Sequence, residues 1–289
     1  MDSADLIQQI ESVMSTSEKL ADETEFGFLW NPRRKLLSIG FDAGNGRIHD
    51  ACYDLLASES RIATFIAVAK DEIPQETWFL LARTHTADRG RPVLLSWTGT
   101  MFEYLMPALW MRSYPNTLLD RSRRAAVLSQ QEYTALQRIP WGISESAYSA
   151  RDEAGNYQYH AFGIPQLALF KGDMNALVIS PYSTFLALVT SPQPALRNLR
   201  RMSHDGWFGS YGFYESADFT SSEKRAWRPK YEVVRCWMAH HQGMTLLAIA
   251  NFLSDDIVHE WFHCDPRVQA TELLLHEKPV NYLPSSIAA

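Results

Sequence analysis

The chain has 289 residues, 46% of them hydrophobic and 21% charged, a globular balance that excludes a disordered or fibrous protein. A formal net charge of −6 without a long basic stripe excludes a protein that tracks nucleic-acid phosphates, and RRK at 33–35 and RSRR at 121–124 are too short to change this. Aromatic residues reach 12%, more than a core alone requires, so some of them are expected to line a cavity.

The opening stretch, "MDSADLIQQIESVM", is acidic and amphipathic where a signal peptide would be basic and then apolar. Residues 4–22 carry apolar positions at helical spacing, with Asp5 as a favourable first-turn charge. In "FGFLWNPRRKLLSIGFDAGNGRI" two short β-like runs flank Asn31-Pro32, and "DAGNG" carries turn chemistry. Helix is expected again over 50–70, with Tyr53, Leu56, Ile62, Phe65 and Ile66 as its buried stripe. Further helical patterns occupy about 74–81, 99–112, 116–137, 180–190, 193–204, 231–254 and 266–276. There is no repeat of fixed period and no linker-like segment. Helix dominates and one main domain is the simplest count.

No run of about 18 apolar residues occurs, and Cys52, Cys236 and Cys264 are too few and too scattered for a disulfide framework or a thiolate zinc site. The expectation is a soluble chain in a reducing, cytoplasmic setting, with no membrane span of its own, no metal and no cofactor.

Several acids stand among aromatic residues instead of on a solvent face. Glu59 interrupts the apolar "DLLASESR"; Glu103 lies in "LLSWTGTMFEYLMP" with Trp97 and Tyr104; Glu145 lies in "IPWGISESAY" between Trp141 and Tyr148; Glu215 follows Tyr211, Phe213 and Tyr214. An isolated buried carboxylate is expensive, and aromatic faces beside carboxylates suit a ligand such as a sugar, so these acids are expected to share one cleft. For each acid alone, the competing account is a structural one: Trp141 plugs the core and Glu145 caps a turn, or the acid is paired with an arginine.

Two other motifs compete. "HEWFH", His259–His263, matches the H-E-x-x-H pattern in which two histidines on one helix face bind zinc while Glu260 acts as base. Pro266 follows closely and the downstream glycine and third histidine of a metzincin are missing, which counts against a zinc metalloprotease. "GISES" has Ser146 where the G-x-S-x-G nucleophile elbow needs its last glycine, and no buried strand precedes it.

The stretches "FLWNPRRKLLSIGF", "YDLLASESRIATFIAVAK", "LLSWTGTMFEYLMP", "PWGISESAY", "NYQYHAFGIP", "GFYESADF" and "MAHHQGMTLLAIANFL", in this order, resemble the glycoamylase-like transglycosylation domain of cyclic β-1,2-glucan synthases, to which endo-β-1,2-glucanases are related. The resemblance implies an all-α fold, an (α/α)6 barrel, complete or incomplete, with short β-hairpin-like segments in its loops. It implies a domain layout of an N-terminal helix or lead-in over 1–23, the glycoamylase-like domain over 24–276 and an irregular tail over 277–289. The implied activity is cleavage of linear β-1,2-glucan and transfer of the bond to the chain's own far end, closing a ring. In full synthases the domain is a soluble part of an inner-membrane protein, so other regions of such a synthase are implied partners. A catalytically silent glucan-binding or scaffold fragment is the alternative.

Retaining transfer needs one carboxylate to attack the anomeric carbon and another to handle the leaving oxygen's proton, ordinarily about 5–5.5 Å apart. The resemblance carries the nucleophile onto Glu59 and the acid/base onto Glu145. The choice of residues is firmer than the roles, because proton transfer in this family can run through a substrate hydroxyl. Candidate sugar-binding residues are Asp50, Tyr53, Asp54, Arg61, Trp97, Glu103, Tyr104, Trp141, Tyr148, Tyr157, Tyr159, Glu215, His240, His241 and Gln242; His240 and His241 are equally readable as helix-packing residues.

Overall fold

The computed structural model describes residues 3–52, 54–57, 59–170, 176–222 and 230–279. Helices dominate it, and its strands are short and antiparallel, set in the connections as pairs and one three-stranded sheet. Among the described residues no helix is long and apolar enough to cross a membrane.

Helix α1 (Ser3–Glu23) forms where the 3.6-residue pattern predicts it but buries none of its residues. Its C-terminal end is tied down by Lys70 Nζ, which donates to the carbonyls of Ala21 and Asp22 at 3.1 and 3.2 Å, and by Arg267, 2.9 Å from Asp22. Two hairpins follow, β1 (Trp30–Asn31) with β2 (Leu36–Leu37) and β3 (Phe41–Asp42) with β4 (Arg47–Ile48). The expected "DAGNG" turn closes the second, Asp42 Oδ1 accepting from the amides of Gly44 and Asn45 at 2.9 and 3.2 Å.

The helix expected over 50–70 is shorter. It begins only at Ser60, as α2 (Ser60–Ala69). Upstream, the Asp54 side chain accepts from the Leu56 amide at 3.2 Å and the Leu55 amide donates to the Ala82 carbonyl at 3.4 Å, bonds that compete with helical ones. Glu59 is therefore the residue at the mouth of α2 and not one of its turns. Helix α3 (Glu76–Leu80) and the hairpin β5 (His85–Asp88) with β6 (Arg91–Leu94) lead to α4 (Met101–Leu105). Pro107 then tightens the chain into a 3-10 turn over Met106–Leu109.

Helix α5 (Leu118–Ala135), capped by the Thr117 hydroxyl on the Asp120 amide, packs on β6 and α4. After the hairpin β7 (Ser146–Arg151) with β8 (Tyr157–His160), strand β9 (Val178–Ile179) leads into α6 (Pro181–Leu186) and α7 (Pro192–His204). Strands β10 (Phe208–Gly209) and β11 (Gly212–Phe213) pair, and β12 (Ser216–Asp218) sits between β9 and β13 (Glu232–Val234).

Helix α8 (Ala239–Leu253) starts later than the periodicity from 231 suggests, because Glu232–Val234 pair with β12 instead. Helices α9 (Ile257–His263) and α10 (Pro266–Thr271) end in a 3-10 turn over Glu272–His276. One large apolar cluster joins α2, α4, α5, α6 and α7 through Phe65, Met101, Val127, Ile143, Tyr182 and Met202, and a small one forms around Leu37, Ala67 and Ile73.

Candidate active site

Residues 139–148 are held from four helices. Gln130 of α5 pairs with the Ile143 backbone as a strand would, donating to its carbonyl and accepting from its amide, both at 2.9 Å. From α4, the Phe102 amide donates to Ser144 Oγ at 3.0 Å; from α7, Asn198 accepts from the Trp141 amide at 3.2 Å and donates to its carbonyl at 2.8 Å. Gly142, at φ +121°, offers its carbonyl to the hydroxyl of Ser183 on α6 at 3.0 Å, and a Cβ in its place would lie 2.6 Å from that oxygen. The glycine thus lets α6 come close. Trp141 keeps only 7% of its surface exposed and packs in the core. The loop presents Glu145 from a rigid base.

Around Glu145 the polar groups form a line. The Tyr159 hydroxyl of β8 donates to Glu145 Oε1 at 2.9 Å and lies 3.3 Å from His241 Nε2. His241 Nδ1 is 2.8 Å from Glu215 Oε1, an oxygen that also accepts from the Ala147 amide at 3.2 Å. His241 is fully buried in the first turn of α8. Tyr182 of α6 packs flat on its ring and donates to the Glu145 carbonyl at 3.0 Å.

Burial holds the Glu145 carboxyl above its ordinary pKa; the charges of Glu59 and Glu215 push the same way, and the Tyr159 hydrogen bond and His241 pull it back. Burial and then the Glu145 charge raise the Tyr159 phenol, with Glu215 and Glu59 adding to it. The charge of Glu59 thus reaches the Glu145 end of the line. Glu59 is exposed, and its carbonyl accepts from the Ala63 amide at 3.0 Å, closing the first turn of α2.

Two hydrogen arrangements satisfy the line. In one, protonated Glu145 donates to Tyr159, which donates to Nε2 of a neutral imidazole; in the other, Tyr159 donates to the Glu145 carboxylate and accepts from an imidazolium. The two differ by one proton passed through the phenol, with no heavy-atom movement. A carboxyl with raised proton affinity in line with a phenol and an imidazole suits general acid/base work.

The other candidates are spread more widely. Gln242 and Glu215 line a cleft of about 190 Å3 walled by Tyr182, Phe185, Phe208, Phe213 and Tyr214. His240 is exposed, its ring tilted 51° to that of His241 with centroids 4.0 Å apart, and burial and then the His241 charge lower its pKa. Trp97 is 52% exposed and stacks on Phe170 with ring centroids 5.7 Å apart. Tyr148 is half-buried and donates to Gln158 at 2.8 Å, while Tyr157 takes a hydrogen bond from Arg151 at 2.8 Å on the outer part of the β7–β8 hairpin. Asp50 is exposed and Asp54 half-buried.

Three candidates point elsewhere. Glu103, 5% exposed, accepts from the amide and hydroxyl of Thr98, both at 3.2 Å, and so braces the turn before α4. Tyr104 is 2% exposed and donates to the Leu94 carbonyl at 2.7 Å. Arg61 is directed at the carbonyls of Glu103 and Tyr104. Tyr53 lies outside the described residues. Tyr182, which touches both Glu145 and His241, was not singled out in the sequence: "SPYSTF" reads only as a helix start with Pro181 in its first position.

The H-E-x-x-H histidines turn to the backbone. His259 Nε2 is 2.7 Å from the Ala108 carbonyl, and His263 Nε2 accepts from the Arg112 amide at 3.0 Å, with Glu272 2.6 Å from its Nδ1. The pair docks α9 against the segment after α4. Among the described residues no group of three or more His, Cys, Asp or Glu is arranged to hold a metal ion.

The glycoamylase family model, described as putative glucoamylase, matches residues 52–266. The chain is 40% identical over 279 residues to the cyclic β-(1,2)-glucan synthase NdvB of Rhizobium meliloti, covering 96% of this chain and 10% of that protein. It therefore spans about a tenth of the length of the curated relative it matches. Among solved structures, an endo-β-1,2-glucanase from Chitinophaga pinensis, in complex with sophorotriose and glucose, aligns at a TM-score of 0.67 and 19% identity, over 92% of this chain and 65% of that one. A putative glucoamylase from Bacteroides caccae aligns at 0.63 with 19% identity, over 92% and 65% of the two chains.

Proposed function

The chain belongs to the glycoamylase family, and from that premise we propose that it is a β-1,2-glucan-acting domain that cleaves and transfers a β-1,2-glycosidic bond with Glu59 and Glu145. The reading rests above all on one feature: Glu145 is half-buried, holds its proton more tightly than an ordinary carboxyl, and feels the charge of Glu59. In this reading Glu59, exposed at the mouth of α2, attacks the anomeric carbon. Glu145 protonates the leaving oxygen, directly or through a substrate hydroxyl, and then takes a proton from the acceptor hydroxyl. A glucan hydroxyl as acceptor gives transfer and closes a ring when it belongs to the same chain; water gives hydrolysis.

The aromatic cleft beside Glu215 and Gln242 takes the neighbouring sugar units, with polar groups selecting the linkage, since an unmatched buried polar group is costly. The helices from 24 to 276 are read as one domain, an (α/α)6 barrel, complete or incomplete, which works beside other regions of a membrane-bound glucan synthase. The testing experiment incubates the chain with linear β-1,2-glucan and weighs the products. Rings one water lighter than the linear chains are the expected result, shorter linear chains would mean hydrolysis, and binding without turnover would favour a silent glucan-binding fragment. Comparable turnover of starch or cellulose would overturn the substrate assignment.

A further inference from the structure

Helices α2 and α5 bring two guanidinium groups into the interior with too few carboxylates to balance them. Arg61 and Arg123 keep 6% and 7% of their surfaces exposed, and among the described residues the Nε of each has no hydrogen-bond partner. Among the described residues Arg61 Nη2 reaches the carbonyl oxygens of Glu103 and Tyr104, at the long distances of 3.3 and 3.4 Å, and Arg61 enters no ion pair. Arg123 pairs with Asp120 at 3.2 Å, but the same carboxylate oxygen also takes Arg124 at 2.9 Å. Burial, and then the charge of Arg123, pull the Arg61 guanidinium down to about 9, so it stays charged at neutral pH at a cost that no carboxylate among the described residues offsets by an ion pair.

Both arginines line one cavity of about 30 Å3, which Arg112, Ser113 and Thr117 also face and which Met111 and Leu275 close with apolar surface. That volume accommodates a particle the size of one or two waters. It is too small for a sugar ring. A water would satisfy donors but bring no charge, whereas a monatomic anion would accept from both guanidinium groups and neutralise the excess.

We propose that this cavity is a binding site for a small inorganic monoanion of chloride size, held between Arg61 and Arg123. Its consequence follows from position: Arg61 stands in the first turn of α2, two residues beyond Glu59, so the anion fastens the start of that helix to α5. The site is independent of glucan chemistry and does not require the proposed activity.

The test uses the chain in chloride-free buffer, adding sodium chloride or sodium gluconate at constant ionic strength and reading the melting temperature together with the 35Cl resonance width. Chloride is expected to raise the melting temperature by about 3 °C along a saturating curve and to show excess 35Cl broadening, while gluconate does neither; Arg61→Met abolishes both responses. Equal responses to the two salts, or no excess broadening in the parent, would overturn the proposal. Should Arg61→Met fail to fold, a bromide-soaked crystal of the parent decides alone: an anomalous peak between the two guanidinium groups is expected, and none there overturns the proposal. Broadening displaced by phosphate but not by bromide would equally overturn the halide assignment.

Discussion

Tyr182 lies flat against His241, ring centroids 3.7 Å apart and planes 10° from parallel. The stack fixes the imidazole plane, so one nitrogen faces Glu215 and the other faces Tyr159. Because Tyr182 also donates to the Glu145 carbonyl, one aromatic side chain aligns both ends of the line that serves the Glu145 carboxyl.

The two carboxylates separate by substrate. Glu59→Ala is expected to lose turnover of every substrate, since no covalent intermediate forms without the attacking oxygen. Glu145→Ala loses natural glucan turnover by about 100-fold or more but keeps its first step on an activated aryl glycoside, which needs little proton assistance. Added azide then gives a retained glycosyl azide from Glu145→Ala and an inverted one from Glu59→Ala; product stereochemistry by NMR reads the roles. If both variants process natural glucan at the parent rate, neither residue is catalytic.

Tyr159→Phe removes the hydrogen bond that pulls Glu145 down. With that bond gone, Glu145 holds its proton to still higher pH, so the alkaline limb of the rate profile on natural glucan moves upward. The maximum rate falls by about tenfold because the path through the phenol is cut. A pH profile of kcat/KM checks both, and an unshifted limb would remove Tyr159 from the proton line.

Glu145 also couples stability to pH. Its folded pKa is raised, mainly by burial, so its favourable contribution is complete below the unfolded carboxyl value and is lost as pH rises through the folded one. Glu145→Gln, which never ionises, should therefore melt higher than the parent at neutral pH, with the gap closing towards about pH 4. Melting curves across that range decide it, and a gap that widens on acidification contradicts the sign.

Gly142→Ala puts a side chain at φ +121°, 2.6 Å from Ser183 Oγ. The strained backbone and the clash together should cost about 3 kcal/mol, lowering the melting temperature by roughly 6–12 °C. Thermal unfolding measures this, and a variant within a degree of the parent would show that α6 yields easily.

The histidines of α9 act through packing. His263→Ala leaves the Arg112 amide without its acceptor and is expected to cost about 1–3 kcal/mol, whereas dialysis against a chelator leaves melting temperature and turnover unchanged. Loss of both on chelation, restored by zinc, would bring the metalloprotease reading forward.

Much of this protein was legible from its residues in order. Helical periodicity located α1, α5 and α7 because an apolar stripe needs only the local 3.6-residue repeat, and "DAGNG" announced its turn because Asp42 bonds amides two and three residues away. The acids among aromatic residues pointed to Glu59, Glu103, Glu145 and Glu215 as one cleft, since a lone carboxylate in such company needs a reason. Only the tertiary structure decided which partners Glu103 and Glu215 hold. Glu103 and Glu215 stand in equally aromatic stretches, yet Glu103 braces its own turn while Glu215 orients His241. The start of α2 at Ser60, the placing of Trp141 in the core and the role of Tyr182 likewise depend on partners far away in sequence, and no local pattern encodes a hydrogen bond such as that of Ala147 to Glu215, 68 residues apart.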